Sequence, residues 1–156
     1  DSERYASIHS NPPGVPTEHP AVVLHRFGSG KALYAAGDIE TSPNCREAFL
    51  NLIGLITSPF SFEADAPPVV EVTLFHQPER RRLLVNLLNF QHEMPNVPAN
   101  EVCVRVRTGK QRVRRVLALP EERQLRHTAS GDCVEFTVPR VETFAAVAVE
   151  YASGKV

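Results

Sequence analysis

From Val69 to Tyr151 the apolar residues fall mostly at every second position, and a period of two suits strands and little else. Val70, Val72 and Leu74 alternate with Glu71 and Thr73. Val102, Val104 and Val106 alternate with Cys103, Arg105 and Arg107, and Val134, Phe136 and Val138 with Cys133, Glu135 and Thr137. Each run has the pattern of a strand with one face on a core and the other in water. Leu83 to Leu88 is largely apolar on both faces, which predicts a central strand, and the last strand, Phe144 to Tyr151, is also apolar on both faces. Gln77-Pro78-Glu79-Arg80, Thr108-Gly109-Lys110-Gln111 and Ser130-Gly131-Asp132 read as turns, and Gln91 to Asn100, with Pro95 and Pro98, as a long loop. Six or seven short strands at hairpin spacing predict an antiparallel β-sandwich.

A different grammar precedes it. Asp65-Ala66-Pro67-Pro68 marks the change, so residues 1–65 are expected to form one domain and 66–156 the sandwich. Asp1 to His19 lack periodicity and carry Asn11-Pro12-Pro13-Gly14, an extended and turning segment. Ala21 to Phe27 and Ala32 to Ala36 read as strands joined by Gly28-Ser29-Gly30-Lys31, whose glycines serve a tight hairpin. Because a strand and not a helix follows them, they do not form a phosphate loop. Ser42 is expected to cap a helix running to Ile56, with Pro43 at its first position. Phe49, Leu52, Ile53 and Ile56 recur at helical spacing. Two strands cannot cover so apolar a helix. The stripe is therefore the expected interface, either with a missing body or with another copy. The fold class that follows is a mixed α/β fragment and then an all-β sandwich.

A chain of 156 residues carrying a formal charge of −1 projects no field that would gather nucleic acid or an anionic membrane surface. Its apolar runs are too short to span a bilayer. The first residue is Asp1 and the single methionine is Met94, which reads as a processed or cut piece of a longer protein. No signal peptide is visible. Three cysteines do not make a disulfide framework, and a reducing, cytoplasmic setting is expected.

Cys45 lies near a helix start, where a thiolate can be stabilised. Its neighbours Pro43, Asn44, Arg46 and Glu47 lack the small residues of a nucleophile elbow, so a structural cysteine is expected. His9, His19, His25, His76 and His92 form no paired ligand motif, and no metal site is assigned. Arginines are denser: Arg80 to Arg82, then Arg105, Arg107, Arg112, Arg114 and Arg115. Alternation sets Arg105 and Arg107 on one outer face, with Arg112 and Arg114 across a hairpin. Such a strip suits sugar acids or phosphates. The near-neutral charge balance favours a solvated face paired with Glu71, Glu101 and Glu135 instead. The chain has no tryptophan to serve as a sugar platform.

Pro20 to Glu40, PAVVLHRFGSGKALYAAGDIE, followed by the apolar helix, resembles the end of a β-galactosidase trimerisation domain. That domain is a class I glutamine-amidotransferase-like, flavodoxin-like fold of bacterial glycoside hydrolases. Arg26 to Tyr34 carries most of the likeness. Leu84 to Phe90, Leu119-Pro120 and Val138-Pro139 to Val149 resemble the C-terminal β-sandwich of the same enzymes. The resemblance implies a flavodoxin-like remnant behind a (β/α) barrel. The family's two catalytic carboxylates stand on that barrel, so it implies no catalytic residue and no cofactor here. The implied role is oligomerisation and structural support, with the parent chain or another copy as partner and carbohydrate reached through the parent enzyme. The alternative is a small carbohydrate- or anion-binding β-domain contacting its ligand through Arg105 and Arg107.

Overall fold

In the computed structural model, residues 18–37, 39–41, 43–57 and 59–152 are described. The chain divides at Pro59/Phe60 into two units. In the first, β1 (Val22–Phe27) and β2 (Gly30–Ala35) pair antiparallel, from Val22 opposite Ala35 to Phe27 opposite Gly30. Gly28 takes φ +57 in the two-residue loop, a conformation open to glycine at little cost. A 3-10 turn, Pro43–Cys45, leads into α1 (Arg46–Ile56). The expected cap, Ser42, lies outside the described residues. Cys45 occupies the N-cap position without a side-chain cap, because the tighter opening turn delays the α-ladder. At the far end Lys31 Nζ donates to Leu55 O at 2.7 Å, placing a cation at the negative end of α1.

The second unit is a sandwich of two antiparallel sheets. One has the order β3 (Phe62–Asp65), β6 (Ala99–Arg107), β10 (Cys133–Val141), β9 (His127–Ser130). The other runs β4 (Val70–Gln77), β5 (Arg82–Asn89), β11 (Phe144–Tyr151), β7 (Val113–Leu119), β8 (Arg123–Leu125). The expected central strand, β5, does lie inside its sheet, and so does β11. The expected division after Asp65 gives way to one six residues earlier. Phe62 to Asp65 pairs with β6, Phe62 opposite Val106 and Ala64 opposite Val104, and so belongs to the sandwich.

Val102, Val104, Val106, Val134 and Phe136 of one sheet and Val85, Leu87, Val147 and Val149 of the other are buried in one core. Each such side chain contributes about 1.5–3 kcal/mol by leaving water. In the first unit no described residue is buried. Val22, Leu24, Phe27, Tyr34, Leu50 and Leu55 are all exposed, Phe27 by 80%.

One junction departs from expectation. Thr108 to Gln111 does not close a hairpin, since β6 and β7 lie in different sheets and the chain crosses the sandwich there. The β7 ladder then slips at Arg114: Arg115 faces Glu150, whereas Val113 faces Tyr151.

Candidate functional site

The outer face of the four-stranded sheet holds the two arginines singled out by sequence. Period-two alternation turns Cys103, Arg105 and Arg107 of β6 outward, and register gives each a neighbour. Arg105 stands between Glu63 on β3 and Glu135 on β10, with Thr128 beyond on β9. Its Nε and Nη2 donate to Glu135 Oε2 at 3.1 and 2.8 Å, and Nη1 lies 3.6 Å from Glu63 Oε2. The hydrogen bond to Glu135, reinforced by its charge, raises the guanidinium's pKa above its already high value. Arg107 donates Nη1 to Asp132 Oδ2 and Nε to Phe60 O at 3.2 Å. Asp132 also gathers the turn, its carbonyl accepting from Thr108 N at 2.7 Å and Gly109 N at 3.1 Å. The hydrogen bond from Arg107, with a second from Cys133, holds its carboxyl below the ordinary value of 3.8.

Both guanidinium groups are thus matched to carboxylates. With Asp65 beside Cys103, four carboxylates (Glu63, Asp65, Asp132 and Glu135) stand around the two arginines. Of the expected partners, Glu135 pairs with Arg105, whereas Glu101 stands exposed on β6 itself, four residues before Arg105. Glu71 lies on the other sheet, and Glu63 and Asp132 take places that sequence reasoning did not foresee. The continuous basic strip expected with Arg112 and Arg114 is split, because β7 lies in the opposite sheet. There Arg115 pairs with Glu150 at 2.6 Å.

The thiols on this face are poor nucleophiles. Burial, then the charges of Glu135 and Asp65, pushes Cys103 above 9.0. Burial and then the hydrogen bond to Asp132 do the same for Cys133. A raised thiol pKa means little thiolate at neutral pH. Cys103 faces Thr137 whereas Cys133 faces Arg107, four residues along, so their Cα atoms are roughly 14 Å apart, beyond disulfide reach. Cys45 is half-buried at the start of α1. Beside β9 an open cleft of about 820 Å³ runs along Gln124, Arg126, His127, Thr128, Glu135 and Thr137. Among the described residues no group of three or more His, Cys, Asp or Glu side chains is disposed to hold a metal.

The proposed interface residues share one element, α1. Phe49, Leu52 and Ile53 are half-buried, and Ile56 is exposed. Of the histidines, His9 lies outside the described residues, His19, His25 and His92 are exposed, and His76 Nε2 shares a 2.7 Å hydrogen bond with Tyr151 Oη.

One polar cluster escaped the sequence reading. Asn89, at the end of β5, is fully buried. Its Nδ2 donates to Val97 O, Val141 O and Glu142 O at 2.9, 3.2 and 2.9 Å. Oδ1 accepts from Gln91 Nε2 at 2.9 Å, and the Asn89 carbonyl accepts from Asn96 Nδ2 at 2.8 Å. This hub ties the loop 90–98 to the corner between β10 and β11. The signal was present in parity: Asn89 continues the inward series of Leu83, Val85 and Leu87, where a polar residue needs buried partners.

No protein-family profile matches the chain, and no curated protein matches it. Among solved structures, α-L-fucosidase isoenzyme 2 from Paenibacillus thiaminolyticus is similar, with a TM-score of 0.74 and 24% identity. The match covers 98% of this chain and 25% of that one. At this identity the likeness establishes a shared fold. The chain spans about a quarter of that protein's length.

Proposed function

We propose that this chain is a non-catalytic C-terminal region of a glycoside hydrolase. Residues 1–59 would complete a flavodoxin-like, trimerisation-type domain, and the sandwich would brace a (β/α)-barrel catalytic domain. The observation that carries the reading is the hairpin and helix of the first unit, which bury no described residue. A two-stranded hairpin is marginal in water by itself, and an 11-residue helix is too short to persist without tertiary cover. Phe49, Leu52, Ile53 and Ile56 therefore mark the surface where a larger body or a second copy would sit. The sequence resemblance and the fold shared with a fucosidase favour a glycoside hydrolase as that body. The β-galactosidase-like specificity rests on the sequence resemblance alone. The paired state of Arg105 and Arg107 leaves the anion-binding alternative without support.

Hydrogen exchange on the 156-residue chain, combined with sedimentation, tests this. Amides of 60–152 should be strongly protected. Those of 22–57 should exchange freely in the monomer and become protected in an oligomer or in the longer polypeptide. Lasting protection of 22–57 in a monomer of this chain would sink the reading. So would hydrolysis of aryl glycosides by the chain alone.

A further inference from the structure

The outer face of the five-stranded sheet differs from its charged counterpart. Register sets Glu71, Leu88 and Phe144 in one row across β4, β5 and β11, and Thr73, Asn86 and Ala146 in the next. Phe90 extends the outward series of β5 past Leu88, held by its amide on Val69 O at 3.0 Å. A groove of about 370 Å³ lies here, lined by Glu71, Thr73, Asn86, Leu88 and Phe144. Phe144 is 60% exposed and Phe90 74%. The small Ala146 beside Asn86 keeps the floor low.

We propose that this groove binds a neutral saccharide of one or two rings. A sugar ring presents an apolar C–H face and a rim of hydroxyls that both donate and accept. The groove answers both, with an exposed aromatic ring and Leu88 set beside a carboxylate, a hydroxyl and an amide. Asn86 Nδ2 reaches Thr73 Oγ1 at a long 3.5 Å, so the pair retains most of its hydrogen-bonding capacity. The arginines of the other sheet, by contrast, are engaged by carboxylates. A lining with one carboxylate and no cation selects against acidic sugars and phosphates. The three strands beneath are paired along their length, so the site is rigid before binding. A purely apolar partner would leave Glu71, Thr73 and Asn86 desolvated without compensation. The groove lies wholly within the sandwich and does not depend on the role proposed for residues 1–59.

Amide chemical shifts of the 156-residue chain, titrated with D-galactose, L-fucose, lactose and cellobiose, test the assignment. At least one sugar should give saturable, millimolar shifts confined to Glu71, Thr73, Asn86, Leu88 and Phe144. Phe144→Ala should weaken binding roughly ten-fold or more, and Asn86→Ala about three- to ten-fold, the worth of one hydrogen bond. Arg105→Ala should leave it unchanged. Spectral dispersion verifies that each variant is folded. The proposal is overturned if no sugar shifts these amides at about 100 mM, far above weak affinities. It is equally overturned if binding survives both groove substitutions. Broadening of the same amides with protein concentration, without sugar, would assign the face to a second copy instead.

Discussion

Replacing Asn89 by alanine removes one side chain and unpairs several groups at once. Three carbonyls lose a donor, those of Val97, Val141 and Glu142. Val97 O keeps a second donor, Gln91 Nε2 at 2.6 Å, so it is not orphaned. Val141 O loses a buried donor, at about 1–3 kcal/mol, and Glu142 O a part-buried one that water can partly replace, at about 0.5–1.5 kcal/mol. Gln91 Nε2 loses Oδ1 but retains Val97 O, a smaller loss. The expected destabilisation of the sandwich is therefore about 2–4 kcal/mol. In a unit of this size that lowers the melting temperature by at least ~10 °C. Urea unfolding followed by circular dichroism measures the free energy, and hydrogen exchange at Phe90 to Pro98 locates it. Asn89→Asp should be worse, since it removes the donors and buries a charge. A loss below about 0.5 kcal/mol in Asn89→Ala, with loop exchange unchanged, would refute the hub.

Two further outcomes follow from the charged face. Because Arg107 depresses the Asp132 carboxyl, the pair adds stability above the ordinary carboxyl pKa of 3.8 and loses it as pH falls through the lower folded value. A carboxyl titration by NMR should place Asp132 below that value in the native chain, and Arg107→Gln should move it upward; an unmoved midpoint would exclude Arg107 as the cause. Cys103, held in the thiol form by burial and by Glu135, should react with iodoacetamide more slowly at pH 8 than an ordinary free cysteine. Glu135→Gln removes a negative charge and unpairs Arg105, so alkylation should quicken; a slower or equal rate would contradict the assignment.

How much of this could be read beforehand varied with the reach of the interactions. The strands β6 and β10 announce themselves by alternation over most of nine residues, and β5 and β11 by eight-residue runs apolar on both faces. Phe62 to Asp65 alternates too, but over four residues, with Ala64 as its second inward position; only Val104 and Val106 across the ladder make it a strand. Arg123 to Leu125 and His127 to Ser130 hold a single buried residue, Leu125, and owe their conformation to β7 and β10. The slip at Arg114 sets Val113 and Val116 inward three residues apart, which hides the period of β7. Thr108 to Gln111 has the chemistry of a tight turn, and nothing local records that it leads to the other sheet. Arg105 and Arg107 were legible as outward residues, but their carboxylate partners on β3 and in the β9–β10 turn depend on that non-local pairing.

The two faces of the sandwich divide the surface chemistry between them. On the four-stranded face each arginine meets a carboxylate and each thiol is held protonated, so a ligand arriving there would have to break pairs already made. On the five-stranded face Leu88, Phe90 and Phe144 lie open, and beside Leu88 the Asn86–Thr73 contact is a long 3.5 Å, so a ligand there would have no ion pair to break. Recognition by this unit is therefore expected at the apolar-rimmed end of the five-stranded face, away from Arg82 and Arg115, which stand opposite Glu150 at the far end of β11. The hairpin and helix pose the opposite problem. With no described residue buried, they are marginal on their own, and under the proposed function their apolar residues would form half of an interface.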